Sequence, residues 1–577
     1  MSWGDDDRAR VEETCRLLTP PTRLSSVSGA SASAANDDGW VKGQVSRLLE
    51  QLHEQALRCP AEAGVELRSK IFVAAARFID VRRPRPRHRS SSAPRDAFLP
   101  PTAADEEKTQ AVARSILLAV LGQQEQQSAT VALARHVLAH YIKPLFSATQ
   151  TDSVRTDTGR AASKPAGLVD NPLHRATSTA EEDIVWKGGG LDLASTAAVR
   201  VLGEPMLLQI EGDHRNAALG CCHVLGAACQ SLGRGATLTK TTTTTTEEDE
   251  EDVDAWPDLW PLVLPPLLTL LEDAGPRFRL VGARILATSL LSPGSVEARL
   301  RVASLMGRTG LAPLLFAALE TSFAYAASSS DPYAAPLLEA STDAHIRLAL
   351  LLRPRPGSGS GPGSDNDEHS QRLRLYTVLD DAVLRIWAYS STSSSSPATP
   401  SDKDEDGCEP TDVLRTTLAT LLRLSQPDAL GPAMAPYLDT LLDFLCAHFG
   451  SAERGALAIR AAAGLVDACR VRRCSGDRNG DGHGGGSNDE DEEKQVEMLV
   501  APGVARWSGK ILASVCRAWT LSRRDVGEGH NDENNYNSYI QRACRQLVQA
   551  LRDLDGMQAQ MDRLVALDAP LFSPLFA

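Results

Sequence analysis

Apolar residues recur along this chain at steps of three and four, the spacing that keeps side chains on one face of an α-helix. Val45, Leu48, Leu49, Leu52 and Ala56 follow it, as do Val137, Leu138, Tyr141, Ile142 and Leu145. Tyr376, Leu379, Val383, Ile386 and Trp387 repeat the pattern, then Leu414, Leu418, Leu421 and Leu422, then Leu438, Leu441, Leu442, Leu445 and Phe449. Trp507, Ile511, Val515 and Trp519 climb one face in steps of four, and Ile540, Cys544, Leu547, Val548, Leu551 and Leu554 do likewise. Sustained period-two alternation of β-branched residues is missing. The pattern predicts an all-α chain.

The helical stretches are separated by segments with too little apolar surface to offset the entropy of ordering them. The expected insertions are 239–254, where a threonine run meets an acidic run, 354–370 (Gly/Ser/Pro), 390–407 (Ser/Pro, then acidic) and 475–493 (Gly/Asn/Asp, then acidic). Two more fall near 19–38 and 82–104. Helices that tolerate so many interruptions must each pack mainly on their sequence neighbours, as in a stack of helical hairpins. The expected organisation is an N-terminal helical region over 1–160, a central solenoid over 161–353, the insertion 354–370, and a C-terminal solenoid over 371–577.

Composition sharpens this only a little. The 577 residues carry a net charge of −14, which argues against general nucleic-acid binding, since neutralising phosphates requires concentrated Lys and Arg. No run approaches the roughly 20 apolar residues of a membrane span; the best, Leu259 to Leu271, is broken by Pro261, Pro265 and Pro266. The acidic opening Met1-Ser-Trp-Gly-Asp-Asp-Asp lacks the basic and apolar regions of a signal peptide, and the 11 cysteines sit mostly in apolar helical patterns as reduced core residues. A cytoplasmic protein with a nuclear option is expected.

One block is more specific. From Trp260 a proline-opened helix carries Leu264, Leu267, Leu268 and Leu271, and stops at Asp273-Ala-Gly-Pro276, where Asp273 is placed to cap the next helix. That helix reads Phe278-Arg279-x-x-Gly282-x-x-x-Leu286. Asp, four spacers, an apolar residue, Arg, then a small residue and Leu at steps of four is the HEAT pattern, and the small Gly282 is expected where the paired helices cross. Weaker echoes are Ile459-Arg460-x-x-Ala463 and His214-Arg215-x-x-Ala218.

The residues Pro261, Pro265, Leu268, Leu271, Asp273, Pro276, Arg279, Gly282 and Leu286 of this block resemble the central signature of the Tel-two-interacting protein two family. The resemblance is sharp around Trp260–Leu291 and looser from roughly Leu191 to Val471. It departs at Glu272-Asp273, where two aspartates are expected, and in the insertion before the block. It implies an irregular HEAT-like α-solenoid that acts as a non-catalytic scaffold subunit of the Triple-T co-chaperone assembly. Its implied partners are two sister subunits and, indirectly, the heat-shock-ninety chaperone and its client phosphatidylinositol-3-kinase-related kinases, which serve DNA-damage, telomere and growth signalling. The alternative, from the helical pattern alone, is a HEAT-type transport or trafficking adaptor that binds cargo peptides or a small GTPase.

Candidate chemistry is thin. Asp477-Arg-Asn479-Gly-Asp481-Gly482 opens like a calcium loop, but Asn488 stands where a bidentate Glu is needed. Cys221, Cys222, His223 and Cys229, and Cys469, Cys474 and His483, lack the paired short clips of structural zinc sites. His136 and His140 share a helix face at i and i+4 with no further ligand near in sequence. The glycines of 357–363 lie in a Ser/Pro/Asp-rich linker and make no phosphate loop. No enzyme activity, metal, cofactor, membrane, nucleic acid or small-molecule substrate is expected. The basic run Arg82–Arg89 reads either as a nuclear-import signal or as a proline-stiffened linker.

Overall fold

The computed structural model describes residues 4–18, 45–59, 64–79, 103–121, 127–143, 223–230, 256–273, 276–292, 296–328, 333–353, 364–393, 411–451, 454–472, 498–500, 502–524, 531–552, 554 and 556–576. These are almost entirely helical. The described helices fall into two compact units, those up to Leu352 in the first and those from Ser364 onward in the second.

The first unit opens with α1 (Asp5–Leu17), α2 (Val45–Arg58), α3 (Val65–Ala76), α4 (Ala103–Leu121) and α5 (Gln127–Val137), the last continuing through one wider turn, Leu138–Ile142. The face anticipated on α2 is the buried one, with Val45, Leu49, Leu52 and Ala56 inside. α3 is buried nearly all round because α1, α4 and α5 all pack against it. Its Arg68 spends its guanidinium on the buried carbonyl of Val120 in α4, the Nε donating at 3.1 Å.

After the helical stretch 223–230 come α6 (Trp256–Leu271), α7 (Pro276–Arg284, prolonged by the wide turn Ile285–Leu290), α8 (Val296–Thr309), α9 (Ala312–Ser328) and α10 (Ala334–Leu351). α6 packs on α7, α9 on α10 and α7 on α10, while α6 also touches α8 and α9, α7 touches α9 and α8 touches α10. α10 is largely enclosed, with Leu337, Leu338, Ala344, His345 and Leu348 fully buried. Phe316 and Phe323 of α9 hold the His345 ring at centroid distances of 4.6 and 5.7 Å.

The second unit begins with α11 (Ser364–Leu379), a wide turn at Asp380–Leu384, and α12 (Arg385–Ser393). Residues 364–370 and 390–393, assigned by composition to insertions, are therefore helical, and 103–104 likewise belong to α4. Ser364-Asp365-Asn366-Asp367-Glu368 is too polar to signal a buried face in the sequence. The remaining parts of those insertions lie outside the described residues, as do 239–254 and 475–493.

The unit continues through α13 (Thr411–Leu424), a 3-10 turn at Gly431–Tyr437, α14 (Leu438–His448), α15 (Gly455–Ala468), α16 (Pro502–Arg524), α17 (Asn531–Arg552), α18 (Met557–Leu567) and α19 (Ala569–Phe576). Here alternate helices are neighbours: α13, α15, α17 and α19 contact in one row, while α14 contacts α16 in another. Two rows built from pairs of consecutive helices are the packing of an α-solenoid. Trp387 of α12 stacks on Phe444 of α14 at 3.8 Å and 5°, and donates its indole N–H to Thr417 of α13 at 2.8 Å.

Among the described residues a short two-stranded ribbon departs from helix. β1 (Arg470–Arg472) pairs antiparallel with β2 (Met498–Val500), in the register Arg470 to Val500 and Arg472 to Met498. The ribbon joins the two flanks of the 475–493 segment. Three-residue strands are too short to show alternation in sequence.

Candidate functional site

The hairpin of α6 and α7 holds all nine signature residues. α6 stays helical through Pro261, Pro265 and Pro266. Each internal proline removes an N–H and costs a helix about 3 kcal/mol in isolation, so packing must hold this one together. Leu259, Trp260, Val263, Leu267, Leu270 and Leu271 supply it, all buried. Leu264 and Leu268, expected on the inner face, are only half-buried, and Pro261 and Pro265 face outward. The inner face is thus turned by about one residue from the expected one. Apolar residues surround α6 on every side, so their spacing could not select a face.

At the hairpin's tip Asp273 is fully buried, and its main-chain carbonyl accepts a hydrogen bond from Arg279 Nε. Arg279 reaches two ways: its Nη1 also donates to Thr321 Oγ1 of α9 at 3.1 Å, and Thr321 Oγ1 passes its own proton to Ala318 O at 2.8 Å. Burial pulls the guanidinium pKa below the usual arginine value, while the carboxylates of Asp273 and Glu272 pull it back up. One side chain therefore ties the turn of its own hairpin to the next helix pair. A planar fork with several donors suits this, whereas a lysine offers a point charge.

Gly282 sits where α7 crosses α6. A Cβ built there would lie 2.9 Å from Leu270 Cβ, 3.1 Å from the Leu271 nitrogen and 3.2 Å from the Leu270 carbonyl carbon. Two of those three atoms are backbone and cannot rotate away. Alanine is already too large there. Leu286 lies fully buried one turn on, inside the wide turn, and Pro276 opens α7.

The echo at Ile459-Arg460 lies on α15, and its geometry differs. Ile459 is buried, but Arg460 is exposed. The close approach falls at Gly464, where a Cβ would meet Ser425 Oγ at 2.7 Å and Leu422 Cδ1 at 3.2 Å, both side-chain atoms. His214, Arg215 and Ala218 lie outside the described residues.

Among the described residues no group of three or more His, Cys, Asp or Glu side chains could hold an ion. His223 is buried and directs Nδ1 to the Arg77 carbonyl at 3.0 Å, which makes it a core hydrogen-bond donor. Burial pushes the Cys229 thiol up to about 12 and that of Cys469 to about 11, both far from thiolate chemistry at neutral pH. The rings of His136 and His140 lie 4.3 Å apart, and His136 Nδ1 is 3.0 Å from Ser69 Oγ of α3. Cys221, Cys222, Cys474, His483, the loop 477–488, the glycines of 357–363 and the run Arg82–Arg89 lie outside the described residues. No single described helix is long and apolar enough to cross a membrane.

The sequence reading missed the Arg279–Thr321 tie, because nothing local to Arg279 announces a partner 42 positions on. Comparison with known proteins gives one family: residues 239–449 match the model of the Tti2 family. No curated protein and no solved structure matches the chain. Through residues 239–449, the span that holds the Gly282 crossing and the Arg279 tie, this chain is similar to the Tti2 family.

Proposed function

We propose that the protein is a non-catalytic scaffold subunit of a Triple-T-type co-chaperone assembly. In it the chain binds two sister subunits and, with the heat-shock-ninety chaperone, supports the maturation and stability of phosphatidylinositol-3-kinase-related kinases. The observation that carries this reading is the family match over 239–449, which covers the signature hairpin. The physical design is compatible with it. Paired helices in rows present ridges and grooves over long surfaces, and specific partners are bound through such surfaces with no bond made or broken. The helix pairs are read as HEAT-like on the Asp273–Leu286 pattern. A cytoplasmic location with a nuclear fraction belongs to the same proposal.

The test is recovery of the tagged chain from cells with mass spectrometry of what accompanies it. The two sister subunits and heat-shock-ninety components should come down together, and depletion of the chain should lower kinase protein while leaving kinase transcripts unchanged. Recovery of transport receptors or small GTPases in their place would assign the chain to trafficking.

A further inference from the structure

In the second unit residues 569–576 form a short helix packed on α16 and α17. α19 is eight residues long, with the sequence Ala-Pro-Leu-Phe-Ser-Pro-Leu-Phe, a Pro-Leu-Phe triplet repeated at a spacing of four. Two helical turns with an internal proline cannot hold a helix in water, since nucleation is costly and a dozen or more residues are normally needed. Its conformation is therefore a bound conformation.

The receptor is made by α16 and α17, and it reads main chain. Trp519 Nε1 donates to the Leu571 carbonyl at 2.8 Å, and Arg523 Nη1 to that of Pro570 at 3.3 Å. Arg545 Nε donates to the Pro574 carbonyl at 3.1 Å, and Arg552 Nη2 to that of Phe576. The chemistry matches the peptide's own deficits. Pro574 has no N–H to give the Pro570 carbonyl, and Arg523 supplies one. The carbonyls of Pro574 and Phe576 lie in the last turn of α19, and arginines supply donors to those too. Arg523 and Arg545 lie over the Trp519 ring, at 5.2 and 5.6 Å from its centroid, which holds both forks in place. Leu575 and Phe576 are the only residues of the segment that are buried, so two apolar anchors and four carbonyl contacts define the docked state.

We infer that the α16–α17 groove is a recognition site for short Pro-Leu-Phe helices of partner proteins, and that residues 569–576 hold it in cis until displaced. The groove reads carbonyl positions and one apolar pair. A partner segment with an adjacent Leu-Phe pair four residues after a Pro-Leu-Phe presents the same features.

The test uses the full chain and the labelled octapeptide Ala-Pro-Leu-Phe-Ser-Pro-Leu-Phe. The wild-type chain should bind it weakly, because the cis segment lowers the fraction of open sites. Leu575→Ala/Phe576→Ala should bind it about tenfold tighter or more. Adding Arg545→Ala and Arg523→Ala to that variant should abolish the gain. No binding by the anchor variant while its helicity and melting are retained would overturn the proposal, as would affinity equal to wild type. Should the anchor variant lose helicity, amide exchange on the unaltered chain decides. Leu571, Phe572, Leu575 and Phe576 should exchange about a hundredfold faster than Ile511–Trp519. Equal protection would mean that α19 is a fixed part of the core.

Discussion

Two helix pairs in this protein share a sequence pattern and differ in what makes them tight. In α6/α7 the crossing is backbone against backbone: Gly282 lies on the main chain of Leu270 and Leu271, and Arg279 binds the hairpin's own turn and the neighbouring α9. In α15, the second helix of α14/α15, the arginine of the echo points to solvent, and Gly464 faces α13 and not α14: the atoms nearest a Cβ there are side-chain atoms of Leu422 and Ser425. A glycine requirement survives there at the turn, where a Cβ at Gly455 would lie 2.5 Å from the Phe449 carbonyl oxygen. The lesson is that apolar-Arg-x-x-small marks a helix face but does not fix its role. The role depends on whether the small residue faces backbone and whether the arginine has a buried carbonyl to bind.

Substitutions can break this contrast in order of size. Gly282→Leu forces a branched side chain into the Leu270–Leu271 backbone and should cost about 3 kcal/mol or more, at the upper end for overpacking. In an array stabilised by its neighbours' interfaces the loss should reach α9 and α10, read as faster amide exchange there. Arg279→Ala leaves the fully buried Asp273 without the guanidinium on its carbonyl and should cost about 1–3 kcal/mol in chemical denaturation. Arg279→Lys should recover only part of that, because it cannot reach Asp273 and Thr321 together.

Gly282→Ala should cost about 1–2 kcal/mol net, since the contact at 2.9 Å outweighs a propensity gain of about 1 kcal/mol. Gly464→Ala should change stability by less than about 1 kcal/mol: the same propensity gain is set against moving a serine hydroxyl and a leucine methyl. Arg460→Ala, at an exposed position, should stay within about 0.5 kcal/mol of wild type. An Arg460→Ala variant as damaged as Arg279→Ala would erase the distinction between the two pairs.

Much of the fold is legible in spacing. Ile540, Cys544, Leu547, Val548, Leu551 and Leu554 were assigned one face and are all buried, because the rest of α17 is polar enough to make that face unique. α6 shows the opposite case: leucines on all sides leave the choice of face to α7, α8 and α9, and the structure centres it on Val263, Leu267 and Leu270. The wide turns at 138–142, 285–290 and 380–384 were invisible, since one extra residue per turn leaves local composition unchanged. At the signature hairpin, sequence indicated that Gly282 permits close approach, but not that the neighbour is main chain. That difference decides the fate of alanine. The receptor for 569–576 was illegible for a related reason, because its four donors bind carbonyls and leave no complementary side-chain pattern.

The most direct measurement is the thermal midpoint of Gly282→Ala beside that of Gly464→Ala, each followed on the full chain by calorimetry. At about 2–4 °C per kcal/mol for units of this size, the backbone crossing at Gly282 calls for a fall of roughly 2–8 °C in the first unit's transition. The second variant should stay within about 3 °C of wild type in its own unit. A Gly282→Ala chain that melts at or above wild type would contradict the backbone crossing of α6 and α7.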